Sequence, residues 1–357
     1  MRRPATLVAI ALLNCACAAI PALAQAAPVA APVTAPVTAI VTARGETVPV
    51  GTAAADAADD PAIWRNSRDP AASLIVATDK KAGLYVYGLD GKARHFVPAG
   101  RLNNVDLVDL GRRGVIVVAS DRNDEGRAVL RLFRLDTRSG HLAALGEAPG
   151  GAGEAYGVCL LRQRDALYAF SVLKAGDIHQ VRLDVAADTA SGTIVRSLKL
   201  ATQTEGCVAD ARTATLYVGE EDRGIWAFDA GPQGPVAGRL VAPVDGAHLV
   251  ADVEGLALAP KGRRGGWLIA SSQGDNAYAL YALPDMRPAG RFRVGAGSLG
   301  ATEETDGIDL ALGSFGKHYR GGLLVVQDGD NAPAAQNFKL IAWRDVLMAL
   351  KAAAGRR

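Results

Sequence analysis

Residues 74–87 read LIVATDKKAGLYVY: an apolar strand, a Lys- and Gly-containing turn, and a second strand of alternating aromatic and aliphatic residues. Short aliphatic runs bounded by turn residues signal strands, and a short polar loop between two of them signals a hairpin. The pairing returns five more times. Val115–Ala119 pairs with Leu130–Phe133, Leu167–Phe170 with Ile178–Val181, and Leu216–Val218 with Ile225–Phe228. Trp267–Ala270 pairs with Tyr278–Tyr281, and Leu323–Val326 with Lys339–Trp343. The first strands begin at residues 74, 115, 167, 216, 267 and 323, a spacing of 41 to 56 residues. That is the size of a four-stranded propeller blade. Helical periodicity is absent until Val346–Ala354, which reads as a short terminal helix. A β-sandwich with the same strand count has no reason to repeat at this period. The expected fold is therefore all-β, a six-bladed β-propeller with four-stranded blades over residues 46–345, followed by a tail at 346–357.

A shorter strand precedes each pair by 12 to 18 residues. These strands open on Asp59-Asp60, Asn103-Asn104, Glu154-Ala155-Tyr156, Thr204-Glu205-Gly206, Val253-Glu254-Gly255 and Thr305-Asp306-Gly307. The first strand of a propeller blade lines the central channel, so its start lies at one rim. Asp59, Asp60, Asp106, Glu154, Glu205, Glu254 and Asp306 are thus expected to converge. Crowded carboxylates repel, so they raise one another's pKa or require a cation. A wide ring of carboxylate oxygens suits Ca²⁺. His and Cys are missing from these positions, which disfavours zinc. A single Asp-Gly is ordinary turn chemistry; the same feature in register across repeats points to a site. Lys80, Lys81, Arg122 and Lys174 follow the next strand of the first three repeats, so they face the same end. Carboxylates and Lys/Arg at one rim suit a multiply charged phosphate ester.

The N-terminus and composition bound the setting. Arg2-Arg3, an apolar run from Leu7 to Leu13 and Ala22-Leu23-Ala24 form a secretory signal pattern over residues 1–24, too short to span a bilayer. Residues 25–45 read as an Ala/Pro/Thr-rich linker with little to pack. The net charge of +2 includes Arg2 and Arg3, so the exported chain is neutral. Neutrality and sparse aromatic residues argue against a nucleic-acid partner. No membrane partner is expected after cleavage, and the location is secreted or periplasmic. A closed propeller has no unpaired edge, so a monomer is expected. Cys159 and Cys207 remain after cleavage. They either pair or stay as buried thiols.

At these residues the chain resembles the β-propeller phytases, calcium-dependent 3-phytases of bacteria. The matching segments include AADDPAIW (57–64), DKKAGLYVY (79–87), RLNNVD (101–106), EAYGV (154–158) and TQTEG (202–206). Further matches are EEDRGIWAF (220–228), DVEGL (252–256), SSQGDNAYALY (271–281), TDGID (305–309), VVQDGDN (325–331) and QNFKLIAW (336–343). The resemblance implies hydrolysis of calcium phytate by a metal-activated water, with several Ca²⁺ ions and no covalent enzyme intermediate. It implies that Glu205, Glu221, Asp252, Glu254, Asp306 and Asp59 or Asp60 are the calcium and cleavage-site acids. Tyr156 and Lys80 would contact the scissile phosphate. Lys81, Arg122 and Lys174 would hold the adjacent phosphate, while Asn104, Asp106 and Gln273 would complete the calcium shell.

The chain departs from the family pattern in three places. Ala175 stands where a Glu is expected. Gly300-Ala-Thr-Glu-Glu304 lacks an Asp-rich run, and the segment from Asn331 to Gln336 is short. The last two differences put an outlying structural calcium site in doubt. Gly295-Ala-Gly297-Ser-Leu-Gly300 matches a dinucleotide fingerprint by letters only, since it opens no helix. No Gly-x-Ser-x-Gly elbow, Cys-based phosphatase signature or Arg-His-Gly motif occurs. Two other functions fit a propeller: a metal-dependent lactonase, which needs no basic rim, and a non-catalytic binding module, which needs no converging acids.

Overall fold

The computed structural model describes residues 38–53 and 56–355. The signal pattern and the start of the linker lie outside these residues. Strands β1 (Thr38–Thr42) and β2 (Gly45–Glu46) come first. Strands β3 (Ala58–Trp64), β4 (Leu74–Asp79), β5 (Gly83–Gly88) and β6 (Ala93–Pro98) form one antiparallel sheet in chain order. Next come β7 (Leu102–Asp109), β8 (Val115–Asp121), β9 (Arg127–Leu135) and β10 (Leu142–Ala152). They share an eight-stranded sheet with β11 (Ala155–Gln163), β12 (Ala166–Leu173), β13 (Asp177–Val185) and β14 (Ala190–Lys199). A further sheet holds β15 (Thr204–Asp210), β16 (Thr215–Glu220), β17 (Gly224–Asp229) and β18 (Arg239–Pro243). The chain continues through β19 (Val253–Lys261), β20 (Gly265–Ser272), β21 (Ala277–Leu283) and β22 (Arg287–Gly295). It ends with β23 (Ile308–Leu312), β24 (Gly322–Asp328), β25 (Asn337–Ala342) and the helix α1 (Trp343–Ala354).

The arrangement is all-β and propeller-like. Strands β3, β7, β11, β15, β19 and β23 each touch the next, and β23 returns to β3, so they close a ring around a channel. The second strands are buried along their whole length in β4, β8 and β24. They read as unbroken apolar runs because neighbouring sheets cover both faces. One core cluster packs Val76 and Val86 against Val117 and Phe133 of the following strand group. Another packs Phe170 against Val218 and Phe228. The core is thus a series of layers between sheets.

Hydrogen bonding divides the strands into five sheets, not six separate four-stranded ones. The merger rests on one parallel pairing, Gly146 with Ala190, at a bulge in β10. Gly146 has φ 148°, and an added Cβ would lie 2.2 Å from the Ala190 carbonyl, so only glycine permits this approach. The linker reading also needs correction. Thr38–Thr42 pairs in parallel with Arg291–Gly295, with Ala39, Val41 and Ala43 buried. Alternating small apolar residues in a Pro-rich context carry too little pattern to announce a strand that pairs with residues so distant in sequence. Strand β2 adds the outer edge to β25, so chain start and chain end complete one sheet. Arg44 locks this junction with a bidentate pair to Asp345 of α1, at 2.6 and 2.7 Å. No described helix is long and apolar enough to cross a membrane.

Cys159 of β11 and Cys207 of β15 form a disulfide, closing the alternative the sequence left open. It ties two adjacent channel-lining strands across 48 residues of chain. Cross-links closing loops of this size contribute about 2–4 kcal/mol. Replacing both cysteines by serine is expected to lower the melting temperature by roughly 5 °C. An unchanged melting temperature in the double variant would contradict this contribution.

Candidate active site

The channel-lining strands share a local irregularity. The register to the second strand slips between Ala58 and Pro61, Leu102 and Val105, Ala155 and Val158, Thr204 and Cys207, and Val253 and Leu256. Each slip encloses two residues: Asp59-Asp60, Asn103-Asn104, Tyr156-Gly157, Glu205-Gly206 and Glu254-Gly255. β-bulges re-aim side chains, here at one end of the channel. The sixth strand supplies Asp306-Gly307 just before β23.

The glycines are required by the ring. A Cβ on Gly206 would lie 2.1 Å from the Glu254 carbonyl oxygen, and one on Gly157 would lie 1.9 Å from that of Glu205. Gly255 meets Asp306 in the same way, and Gly307 meets Asp59 and Asp60. Two of these contacts are hydrogen bonds, Gly255 N to Asp306 O at 2.8 Å and Gly307 N to Asp59 O at 3.1 Å. An acid followed by glycine is therefore the sequence of one side chain aimed at the mouth and one backbone pressed against its neighbour.

A second ring surrounds the first. Lys80, Arg122, Lys174, Glu221 and Gln273 each follow the last residue of a second strand. Each donates its N–H to a carbonyl before the channel strand, for example Lys80 to Ala57 at 2.7 Å and Glu221 to Gln203 at 3.0 Å. This shared turn puts five side chains of four kinds at equivalent points.

The two rings build an acidic half. Carboxylate oxygens of Glu205, Glu221 and Glu254 lie within 4.8 Å of one another, and all three residues are buried. Glu221 Oε1 and Glu254 Oε2 have no hydrogen-bond partner. Burial, then Asp59 and Glu254, pushes the Glu205 carboxyl well up; burial, then Asp306 and Glu221, does the same to Glu254. Burial raises Glu221 to about 7. Asp252 stands half-buried beside them, also raised by burial. Unpartnered oxygens on an all-oxygen donor set fit a hard divalent cation such as Ca²⁺.

Lys80 joins this half to the first strand. Its ammonium lies 3.0 Å from Asp59 Oδ2 and 2.9 Å from Asp306 Oδ2, and it also pairs with Asp56. Burial would lower the Lys80 pKa, but Asp59, Asp306 and Glu205 outweigh it and hold the ammonium charged. Gln273 donates to the other Asp306 oxygen at 2.7 Å. Lys81 is more exposed and pairs with Asp56 at 3.1 Å.

The opposite half is cationic. Arg122 lies 5.3 Å and Lys174 5.0 Å from the Tyr156 ring centroid. Both face Glu154, at 3.6 and 3.8 Å. Arg122 donates to Asn103 Oδ1 at 2.6 Å, and Asn103 donates to Glu205 Oε1 at 2.7 Å, which links the halves. Asn104 lies beside this link, its side-chain amide 2.9 Å from both Glu205 Oε1 and the Tyr156 carbonyl. Burial and then Glu205 raise the Tyr156 hydroxyl, which stays a protonated donor.

Two expected residues lie elsewhere. Asp60 accepts from Val105 N at 3.1 Å, and Asp106 accepts from Leu160 N at 2.7 Å. Both staple one channel strand to the next, as Asp309 does to Ile63 N at 2.8 Å. Asp60 follows Asp59 and so faces the other way. Asp106 sits inside β7, too far along the strand to reach the mouth. Sequence reasoning gave no role to Asn103 or Asp56. Asn103 had a signal, its register with Asp59 and Glu205; Asp56 precedes the repeat and had none. Near Gly300 and Asn331, the buried Lys339 ammonium faces Glu46 at 2.5 Å, Asp328 at 3.1 Å and Asn331 Oδ1 at 3.1 Å.

Lys80 compensates two carboxylates that burial otherwise penalises. Replacing it by methionine in metal-free protein is expected to cost about 3–5 kcal/mol near pH 8. The cost should shrink toward pH 5. Asp306 is raised to about 7 when folded against an ordinary 3.8, so the folded state gains protons first and stability falls as pH rises through that window. Denaturant titrations at the two pH values in chelator measure this. A loss independent of pH, or none, would contradict the arrangement.

Comparisons with known proteins identify the family. The family described as Phytase matches residues 6–354. The chain is 38% identical over 322 residues to a 3-phytase of Bacillus subtilis (strain 168), covering 85% of this chain and 84% of that relative. The match spans both rings of side chains, and the chain belongs to the phytase family.

Proposed function

We propose that the protein is a calcium-dependent 3-phytase, an exported phosphomonoester hydrolase that releases phosphate from myo-inositol hexakisphosphate. The observation that carries this reading is one mouth with two chemistries: the buried Glu205–Glu221–Glu254 cluster beside the Arg122–Lys174–Tyr156 face. The family match supports the reaction class. The closed ring of channel strands supports counting six blades, with the eight-stranded sheet as two blades joined at Gly146. A monomer fits the completed last sheet, and the N-terminal pattern and the disulfide suit an oxidising compartment outside the cytosol.

Glu205, Glu221, Glu254, Asp252 and Asp306 would hold several Ca²⁺ ions, with Gln273 and Asn104 offering amide oxygens. When bound, Ca²⁺ would supply charge neutralisation at the phosphoryl group and a polarised water. The chain's own residues do the rest. Lys80, held charged between Asp59 and Asp306, presents an ammonium to the phosphate being cleaved. Tyr156 offers a neutral hydroxyl donor from the border between the halves. Arg122, Lys174 and Lys81 hold a neighbouring phosphate and so fix the ester in place, which favours reaction through positioning. The cationic half disfavours a lactonase reading, since a lactone carries no phosphate for it to bind.

Two measurements test this. Phosphate release from sodium phytate should require added Ca²⁺ and stop with chelator; release in neither condition would overturn the enzyme reading. Substituting Lys81 or Arg122 by alanine should raise KM for phytate about tenfold, by loss of a charged contact. For a simple monophosphate KM should change little, because only phytate offers a second phosphate. Equal effects on both substrates would contradict the two-half model.

A further inference from the structure

Each channel strand and its partner are joined by a hairpin at the end of the channel away from the active site. A strand rises about 3.3 Å per residue, so the turn after Trp64 lies roughly 20 Å from Asp59. These turns are rich in basic residues. Arg68, Arg113, Arg164, Arg263, Arg264 and Arg320 are all exposed, and they come from five of the six turns. No ion-pair partner engages any of them among the described residues. In the remaining turn Arg212 is bound to Asp210 at 2.7 Å. The acids on the turns have local tasks: Asp69 accepts from Ala71 N, and Asp109 accepts from Gly111 N and Trp64 Nε1. With Asp165 they are still fewer than the arginines on the same turns.

Three neighbouring pairs of these turns touch one another. Arg212 donates to the Gly262 and Gly265 carbonyls at 3.1 and 2.8 Å. Arg65 donates to Ser314 O at 3.1 Å and lies over Phe315, and Trp64 reaches Asp109 at 3.1 Å. The turns nearest the channel axis thus carry an excess of arginines, while the exposed acids Asp90, Asp136, Asp188, Asp229 and Asp285 stand on the outer hairpins of the same end.

We propose that these inner turns dock the protein on an anionic phospholipid surface, with the active mouth facing away. A ring of tips about one axis matches a plane of headgroups rather than a linear backbone. Phe315 and Tyr319 on these turns are buried, which leaves the His318 imidazole as the exposed ring among them, a poor platform for stacking successive nucleic-acid bases. The large exposed apolar residues, Ile40, Val48, Val195, Val236, Leu240 and Met348, all lie off these turns. Docking is accordingly electrostatic, at headgroup level, and salt-sensitive.

The test is cosedimentation in chelator, which prevents calcium from bridging lipid to the active-site acids. Vesicles of pure phosphatidylcholine, or with about one third phosphatidylglycerol, are compared at roughly 50 and 500 mM NaCl. The protein should bind the anionic vesicles at low salt, bind about tenfold less at high salt, and ignore phosphatidylcholine. Combining Arg113→Glu, Arg263→Glu, Arg264→Glu and Arg320→Glu should abolish binding while phosphate release in solution stays normal. If that variant misfolds, the corresponding glutamine set should fold and weaken binding in the same direction. Equal binding to both vesicle types, or undiminished binding by a folded variant, would overturn the proposal. Displacement from vesicles by short duplex DNA at equal phosphate concentration would overturn the choice of partner.

Discussion

Neighbouring channel strands approach so closely that four positions admit no side chain. At Gly157, Gly206, Gly255 and Gly307 the backbone lies against the next strand, and any Cβ would overlap it. The constraint has two consequences. It closes the ring, because each strand is seated against its neighbour through these contacts. It also aims the residue beside each glycine, Tyr156, Glu205, Glu254 or Asp306, at the channel mouth. Fold and site are thus set by one local device repeated around an axis. Where the glycine is absent, Asp60 bridges to the next strand through its carboxylate instead.

The device concentrates like charges, and the structure answers in two ways. Lys80 holds Asp59 and Asp306, while Glu205, Glu221 and Glu254 are left facing one another with raised proton affinity. Buried carboxylates facing one another in this way favour a bound cation. The cationic half satisfies its own charges against Glu154 and Asn103, which leaves Arg122 and Lys174 ordered before substrate arrives. Glu154 provides a carboxylate to this half although Ala175 does not.

Much of this was legible in the sequence because both devices recur at fixed register. The strand period and the acid-glycine openings are visible in any one-dimensional alignment of the chain with itself. Other features depend on contacts that carry no periodic signal. Whether Asp59 or Asp60 faces the mouth is decided by tertiary partners: Asp59 meets Lys80, whereas Asp60 accepts the Val105 N–H. Asp106 looked like a rim acid, yet it lies inside β7 and accepts a backbone N–H from β11. The pairing of Thr38–Thr42 with Arg291–Gly295 and the junction at Gly146 join segments with no shared pattern. The net charge concealed the excess of arginines on the far inner turns, because a sum over the chain has no direction.

If the bulged channel strands build a cation site at Glu205, Glu221 and Glu254, anomalous diffraction from crystals soaked in Ca²⁺ will show it. A calcium peak bounded by these three carboxylates is expected, absent in crystals of the Glu254→Gln variant whose fold is unchanged. Calcium peaks found only away from this cluster, or a peak there that survives the substitution with Glu205 and Glu221 turned aside, would contradict it.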